Sequence, residues 1–393
     1  MKMLKIILAL SLVIAFSVQA FASTATEAIN NFTFNAAKIL RNKSKEYFFS
    51  PYSIISAFGM TYAGAEKDTA KEIEEILGFN PQTHSELGKL MRDLDKSGLS
   101  SANRVWLRNG MRLKEAYKDT LFLHYGSKAA ELDFLNDTEN SRKIINDWVS
   151  EKTHEKIKDL LQTLEPETQM ILTNAIYFNA EWASKFKKEK TSKENFYPGG
   201  CEYFEVDMMK KYGDFAYAEK DGNKIIRLPY KGHRFSMIII LPPKIAGYNG
   251  TLENNAKEIE LNAEIFNEML KSMREYEVDL WLPKFKTEKT YELKDLFDVL
   301  GIKLAFSDFA DFSGITDDEK LKIDAVIHKT FIEVDEEKTE AAAATAIKMV
   351  KATAMRPMEK PKAIFHADHP FNYFIVDDYT GTILFAGRQT FDR

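Results

Sequence analysis

Three short patterns place reactive side chains at spacings that enzymes or metal sites use. In the first, Ser184-Lys185-Phe186-Lys187, the Ser-x-x-Lys spacing would let a lysine activate a serine nucleophile. The Ser-Asp-Asn and Lys-Thr-Gly motifs that accompany this pattern in β-lactamase-like enzymes do not occur in the chain. A Gly-x-Ser-x-Gly elbow, a phosphate loop and a His-Glu-x-x-His motif are also missing from the sequence. The sequence therefore predicts a protein that is not an enzyme.

The other two patterns concern metals. His366 and His369 could form a metal pair, but no third ligand follows at a useful spacing, and the adjoining Pro370 argues against a helix. The acidic run 317–319 lacks the spacing of a calcium loop. We interpret both histidines as structural, and we expect no metal and no cofactor.

The most unusual segment runs from Glu336 to Pro361. Its Glu, Lys and Ala content favours a surface helix on local propensity alone. Read instead with the period of a β-strand, it has one face that carries only small or apolar residues and Thr. The strand-like residues 330–334 would anchor it in a sheet. Both readings remain open at this point.

The surrounding elements change character along the chain. Apolar periodicity predicts helices, followed by mostly apolar runs that predict buried strands. The predicted helices span 27–40, 51–65, 69–77, 85–95, 139–161, 249–271 and 293–300. The predicted strands span 170–178, 235–241 and 277–282, with a final hairpin over 371–385. A capping box is predicted at Thr69 and Glu72, and helix ends at Gly78 and Gly301. Helices first and strands afterwards predict an α+β fold.

Composition narrows the function further. The chain has 393 residues, a net charge of −5 and one cysteine, Cys201. One cysteine allows no intrachain disulfide and no Cys-rich zinc site. With no basic excess, nothing indicates a nucleic-acid partner.

Residues 1–22 form a separate unit. Lys2 and Lys5 precede an apolar run over 6–18, and Ala20-Phe21-Ala22 offers small residues where a signal peptidase cleaves. The run is too short to span a membrane. We expect cleavage after Ala22 and an exported protein without a membrane partner, extracellular or, in a bacterium, periplasmic. Residues 23–393 would form one domain.

Several motifs together resemble the serpins, a family consisting mostly of serine-protease inhibitors. They are Phe48-Phe49-Ser50-Pro51-Tyr52-Ser53-Ile54, Asn174-Ala175-Ile176-Tyr177-Phe178 with Trp182, Phe365-His366-Ala367-Asp368-His369-Pro370-Phe371 and the hinge-like stretch 336–345. The resemblance covers the whole chain after residue 22. It implies a serpin fold with three β-sheets, about nine helices and an exposed reactive-centre loop at about 336–361.

The resemblance also implies a mechanism. A protease attacks the loop as a substrate and forms an acyl-enzyme. The cleaved loop then enters the large sheet as a new strand, and the attached protease is distorted before the ester is hydrolysed. The expected function is therefore suicide-substrate inhibition of serine endopeptidases, with cysteine endopeptidases left open. The alternative is a non-inhibitory serpin-fold chaperone, carrier or storage protein.

Site roles follow from the resemblance, residue by residue. The hinge that inserts first comprises Glu336, Glu337, Lys338, Thr339, Glu340, Ala341, Ala342, Ala343, Ala344 and Thr345. Thr339 would face inward, where the family's non-inhibitory members carry a charge. The shutter and breach, where the sheet opens, comprise Ser50, Ser53, Asn174, Trp182 and His328. We expect a hydrogen bond between Asn174 and His328.

Two departures from the family pattern affect these expectations. Lys338 stands where the family usually has glycine, which would restrict bending at the hinge, although we expect inhibition to survive. Asn179-Ala180 replaces a common Lys-Gly, with no clear consequence. The segment 85–95 has no basic cluster, so we expect no activation by heparin.

The attacked bond is located by counting. In the family it follows the seventeenth residue from the first hinge glutamate, which places it at Ala352-Thr353. Alanine suits an elastase-like or subtilisin-like protease. A loop one residue shorter places it at Lys351-Ala352, which suits a trypsin-like protease. We expect the inhibitor to be a monomer.

Overall fold

The computed structural model describes residues 23–99, 101–199, 202–244, 260–339 and 359–391. The expected signal peptide, the hinge from Glu340 to Thr345 and the candidate bonds at Lys351, Ala352 and Thr353 lie outside these residues. The described part contains eight α-helices, close to the expected nine. They are α1 (Thr24–Lys43), α2 (Pro51–Tyr62), α3 (Lys67–Leu77), α4 (Thr83–Asp95), α5 (Glu115–Tyr125), α6 (Thr138–Lys152), α7 (Ala263–Ser272) and α8 (Lys294–Leu300).

Sixteen strands accompany these helices in the described residues. They are β1 (Tyr47–Phe49), β2 (Ser101–Arg108), β3 (Ala130–Leu132), β4 (Met170–Tyr177), β5 (Ala180–Glu181), β6 (Ser192–Gly199), β7 (Glu202–Lys220), β8 (Asn223–Pro229), β9 (Phe235–Leu241), β10 (Arg274–Pro283), β11 (Phe285–Glu292), β12 (Ala325–Val334), β13 (Lys338–Thr339), β14 (Lys362–His366), β15 (Phe371–Asp377) and β16 (Thr382–Gln389).

The strands form two large sheets and one short pair. Nine strands form a sheet in the order β1-β16-β15-β9-β8-β7-β10-β14, with β6 on β7. Five strands form a second sheet in the order β11-β12-β4-β2-β3, and β13 pairs with β5. Because helices dominate the first third and strands the remainder, the α+β class predicted from the sequence is confirmed.

Local sequence signals explain where several helices begin and end. Ser50 caps α2 by accepting a hydrogen bond from the Ser53 backbone N–H, and Pro51 occupies the first turn, as predicted. Gly78 ends α3 with a φ of 71°, and Gly301 ends α8 with a φ of 113°. Residues with a Cβ rarely adopt these left-handed angles, which is why glycine stands at both ends.

Of the helix predicted over 249–271, residues 249–259 lie outside the described residues, and the described part becomes helical only at Ala263, after an Asn262 cap. Two other local predictions are wrong. Thr69 does not cap a helix, because α3 begins two residues earlier. Its hydroxyl instead accepts a hydrogen bond from the Asp311 backbone N–H, and Glu72 accepts from the N–H groups of Lys303 and Leu304. These polar groups therefore serve tertiary contacts rather than the start of the helix.

The helix predicted over 139–161 is also too long. It ends at Lys152, and His154 and Glu155 then take positive φ angles of 50° and 60°. The apolar residues beyond this turn, such as Ile157, still reach the core, but in irregular backbone. Apolar spacing alone could not distinguish this packing from a longer helix.

The central strand of the five-stranded sheet is buried on both faces. Every residue of β4 is buried, and it lies between β2 and β12. Helix α2, itself buried from Pro51 to Thr61, packs against one face, and α6, through Val149, covers the other together with the residues that follow it. Among the described residues, no helix is both long and apolar enough to cross a membrane.

Candidate functional site

A buried polar cluster joins the two strands that would have to part. Asn174 on β4 and His328 on β12 are partners in the parallel ladder. The Nδ1–H of His328 donates to Asn174 Oδ1, and the Ser50 backbone N–H donates to His328 Nε2 over 3.0 Å. Because Nε2 accepts, the proton of the neutral ring is on Nδ1. One imidazole therefore joins β4, β12 and the start of α2.

The rest of the cluster extends to the neighbouring strand. The Asn174 amide donates to Ser53 Oγ and to Asn103 Oδ1, each over 2.6 Å. The Ser53 hydroxyl donates to Asn103 Oδ1 over 2.9 Å. Asn103, on β2, was not anticipated from the sequence, because nothing there reveals that it pairs with Asn174. The cluster thus spans three adjacent strands of the sheet.

Ser50 connects this cluster to the nine-stranded sheet. Its hydroxyl donates to the Leu384 carbonyl on β16 over 2.6 Å and accepts from the Ser53 N–H over 3.2 Å. Ser50, Ser53, Asn174 and His328 are each 0% exposed. Complete burial lowers the pKa of His328 to about 3, so the ring is neutral near pH 7. A network this deeply buried is costly to leave incomplete.

The ladder between β4 and β12 is continuous. Its register runs from Ala325 opposite Ile171 to Phe331 opposite Tyr177, and no strand lies between them. The sheet is therefore in a five-stranded form, and a new strand could enter between β4 and β12 only by breaking this ladder.

At the carboxyl ends of the parallel strands β4 and β12, Trp182 bonds the residue that follows β12. Its Nε1–H donates to the Asp335 carbonyl over 2.9 Å, and its ring stacks on Tyr230 with centroids 4.6 Å apart. The Phe186 backbone N–H donates to the Glu336 carbonyl over 2.9 Å. These contacts fix the backbone from which the hinge departs.

Glu336 is anchored through its side chain as well. The residue is 5% exposed, and its carboxylate accepts from Lys284 Nζ and from the Thr191 hydroxyl, each over 2.8 Å. Burial alone would raise the pKa of the Glu336 carboxyl, but these two hydrogen bonds outweigh it and hold the pKa below its usual value. Glu337 is half-buried and pairs with Lys188 over 2.7 Å. The first hinge residue is thus a fixed point.

The chain reverses direction immediately after Glu336. The Glu337 N–H donates to Asp335 Oδ1 over 2.8 Å, which closes a tight turn. Lys338 then pairs antiparallel with Glu181, and Thr339 with Ala180. Only two residues separate the end of β4 from the start of β5, so the reversed chain runs beside the extension of β4. The inward orientation expected for the Thr339 side chain lies outside the described side chains.

The Ser-x-x-Lys pattern at 184–187 and the histidine His369 lie outside this polar cluster. Ser184 and Lys187 are exposed in the loop after β5. His369 is buried and bonded, through Nδ1 to Asp368 and through Nε2 to the Pro242 carbonyl, each over 2.8 Å. Within the described ranges, no group of three or more His, Cys, Asp or Glu residues could hold a metal ion.

The comparisons with known proteins agree with this geometry. The family model described as Serpin (serine protease inhibitor) matches residues 27–390. An uncharacterized serpin-like protein of Thermococcus kodakarensis is 40% identical over 371 residues, covering 92% of this chain and 84% of that protein. Serpin B4 of Homo sapiens is 38% identical over 393 residues, covering 92% and 98%.

Solved structures show the same fold. Uncleaved ovalbumin matches with a TM-score of 0.81 at 27% identity, covering 94% of this chain and all of that one. Serpin48 of the insect Tenebrio molitor, described as a highly specific serpin, matches with a TM-score of 0.79 at 32% identity, covering 94% and 98%.

Proposed function

This chain belongs to the serpin family, and we propose that it is an exported, monomeric suicide-substrate inhibitor of serine endopeptidases. The observation that carries the proposal is the reversal of the chain after Glu336. Lys338 and Thr339 already run antiparallel to β5, beside the end of β4. The residues that follow, Ala341 to Ala344, are small enough to enter between packed strands without side-chain clashes.

In this mechanism the protease serine attacks the carbonyl of Ala352 or Lys351. An ester forms, the peptide bond to the next residue breaks, and its nitrogen leaves as an amine. The freed loop then enters between β4 and β12 as a sixth strand. Each inserted residue gains ladder hydrogen bonds worth about 0.5–1.5 kcal/mol net but loses about 1–2 kcal/mol of backbone freedom. Insertion must therefore also relieve packing in the five-stranded form.

The target class depends on which bond is cleaved. Alanine before the bond suits an elastase-like or subtilisin-like pocket, and lysine suits a trypsin-like pocket that holds a carboxylate. Cysteine endopeptidases are a second class worth testing. The fold alone does not separate inhibitors from other serpins, because human thyroxine-binding globulin in complex with its hormone matches with a TM-score of 0.81. A non-inhibitory carrier, chaperone or storage role is the competing proposal.

Incubation with a panel of proteases, followed by SDS gels, separates the two. An inhibitor should give complexes that survive SDS, whereas a non-inhibitory serpin should only be cleaved. Heat provides an independent test: the cleaved inhibitor should melt far above the intact protein, because the new strand completes the sheet. Cleavage by every protease without a complex or a rise in melting temperature would refute inhibition.

A further inference from the structure

A cavity of about 170 Å³ lies beside the breach, between the loop after β5 and strands β7 and β8. Its lining includes three aromatic rings and three charged side chains. These are Trp182, Phe186, Phe215, Lys211, Asp214 and Arg227. A space of this size is close to the ~150 Å³ in which an apolar protein cavity can hold one benzene ring.

Lys211 is one of the three charged side chains that line this cavity. Its Nζ lies 5.5 Å from the ring centroid of Phe186 and 5.7 Å from that of Phe215, and it donates to the Ser184 carbonyl. It forms no ion pair with any carboxylate among the described residues. Burial lowers the pKa of Lys211 to about 8, which leaves the ammonium charged at neutral pH. A partly desolvated cation without a counter-ion favours an anionic ligand.

The two other charged side chains already have ionic partners. Arg227 donates through Nη1 to Asp378 over 3.1 Å. Asp214 pairs with Lys360 over 2.8 Å, and Lys360 also contacts Glu275 over 3.1 Å. Among the charged side chains that line the cavity in the described residues, Lys211 is therefore the one without a carboxylate partner, and it lies beside an apolar wall.

We propose that this cavity binds a small aromatic monocarboxylate. The ring lies against Trp182, Phe186 and Phe215, and the carboxylate accepts a hydrogen bond from the Lys211 ammonium. A ligand of phenylacetate size has about ten heavy atoms, so its dissociation constant is expected on the order of 1 mM.

A bound ligand would also affect the hinge, because two residues of the cavity wall form hydrogen bonds with the backbone at the start of the hinge. Trp182 bonds the Asp335 carbonyl, and the Phe186 N–H bonds the Glu336 carbonyl. A ligand that fixes both rings stabilises these contacts, and so it delays departure of the hinge. Only the effect on inhibition rests on the proposed function; binding and stabilisation of the hinge contacts do not.

The binding test titrates the whole protein with phenylacetate and follows ligand line-broadening and Trp fluorescence. Lys211→Met should weaken binding at least tenfold. Lys220→Met is the matched control, because Lys220 lies on the same strand but pairs with Glu268 outside the cavity, and it should change nothing. The neutral analogue phenylacetamide should bind wild type at least tenfold more weakly than phenylacetate. Equal binding of the two ligands, or unchanged binding by Lys211→Met, would overturn the proposal.

The coupling test needs no protease. Hydrogen–deuterium exchange of the peptide containing Phe186 should slow at least threefold with saturating phenylacetate in wild type, and should not change in Lys211→Met. Unchanged exchange in wild type with ligand bound would overturn the coupling. Neither measurement depends on inhibition. A protein that forms no complex with any protease would refute the proposed function, and the titrations would still show whether the cavity binds the carboxylate.

Discussion

His328 and Asn174 face each other across the ladder between β12 and β4, and a hydrogen bond between their side chains closes the line along which the sheet would have to open for the proposed insertion. The same ring accepts from Ser50, and the same amide donates to Asn103. Opening the sheet therefore costs a buried polar network as well as a backbone ladder. In the proposed mechanism, this network would hold the five-stranded form in place until the loop is cut.

Replacing His328 with alanine should loosen this closure. The change leaves Asn174 Oδ1 and the Ser50 N–H without a partner, at a cost of about 1–3 kcal/mol. We expect faster conversion to a latent or polymeric form on warming. Size-exclusion chromatography of samples taken over time measures how long the monomer lasts. His328→Gln is the control, since its amide can donate and accept and should recover part of the lifetime. An unchanged monomer lifetime in His328→Ala would contradict the assigned role.

Replacing Thr339 with arginine should convert the inhibitor into a substrate. In the proposed mechanism Thr339 is among the first residues to enter the sheet, and a buried, unpaired guanidinium there would cost several kcal/mol, on the order of the penalty for any buried ion. Insertion would slow, and hydrolysis of the ester would win. SDS gels should show cleaved protein in place of complex, while Thr339→Ser should still form complex. Undiminished complex from the arginine variant would refute this prediction.

Stability should fall as the pH drops below 6.5. The folded pKa of His328 is about 3, below the unfolded value of 6.5, so the unfolded state binds more protons between these values. The stability from neutral His328 is complete above pH 6.5 and decreases by up to about 1.4 kcal/mol per pH unit below it. Burial likewise lowers the pKa of His84 to about 4, which adds in the same direction.

Urea unfolding at pH 7.0, 6.0 and 5.0 measures this loss. His84→Gln should reduce the slope without abolishing it, because His328 remains. A free energy of unfolding that stays constant from pH 7 to pH 5 would show that neither ring is held neutral.

The cleaved bond can be read directly from the peptide that the protease releases. Mass spectrometry of the denatured complex should detect a C-terminal peptide that begins at Thr353, or at Ala352 if the trypsin-like alternative holds. A peptide beginning after Arg356 would exclude both. Proline at 357 makes that bond a poor site for most such proteases.

Some elements of the fold could be predicted from the sequence, and others could not. Strand β9 and the C-terminal hairpin were predictable, because their apolar runs and turn residues are local signals. The end of α6 and the role of Thr69 were not, since tertiary contacts determine both. Asn103 could not be assigned either, because its role depends on strand register, which a single sequence does not reveal.

The pairing of Lys338 with Glu181 and of Thr339 with Ala180 also sets a length. Continued without a slip, that register brings Thr345 opposite Asn174 and Ala352 opposite Glu167. At about 3.3 Å per residue, Ala352 would finish about 43 Å from Thr339. This separation is close to the diameter of a compact domain of about 200 residues. A protease held at Ala352 would thus finish about one such diameter away from Thr339, and each residue deleted from the loop would shorten that separation by about 3.3 Å.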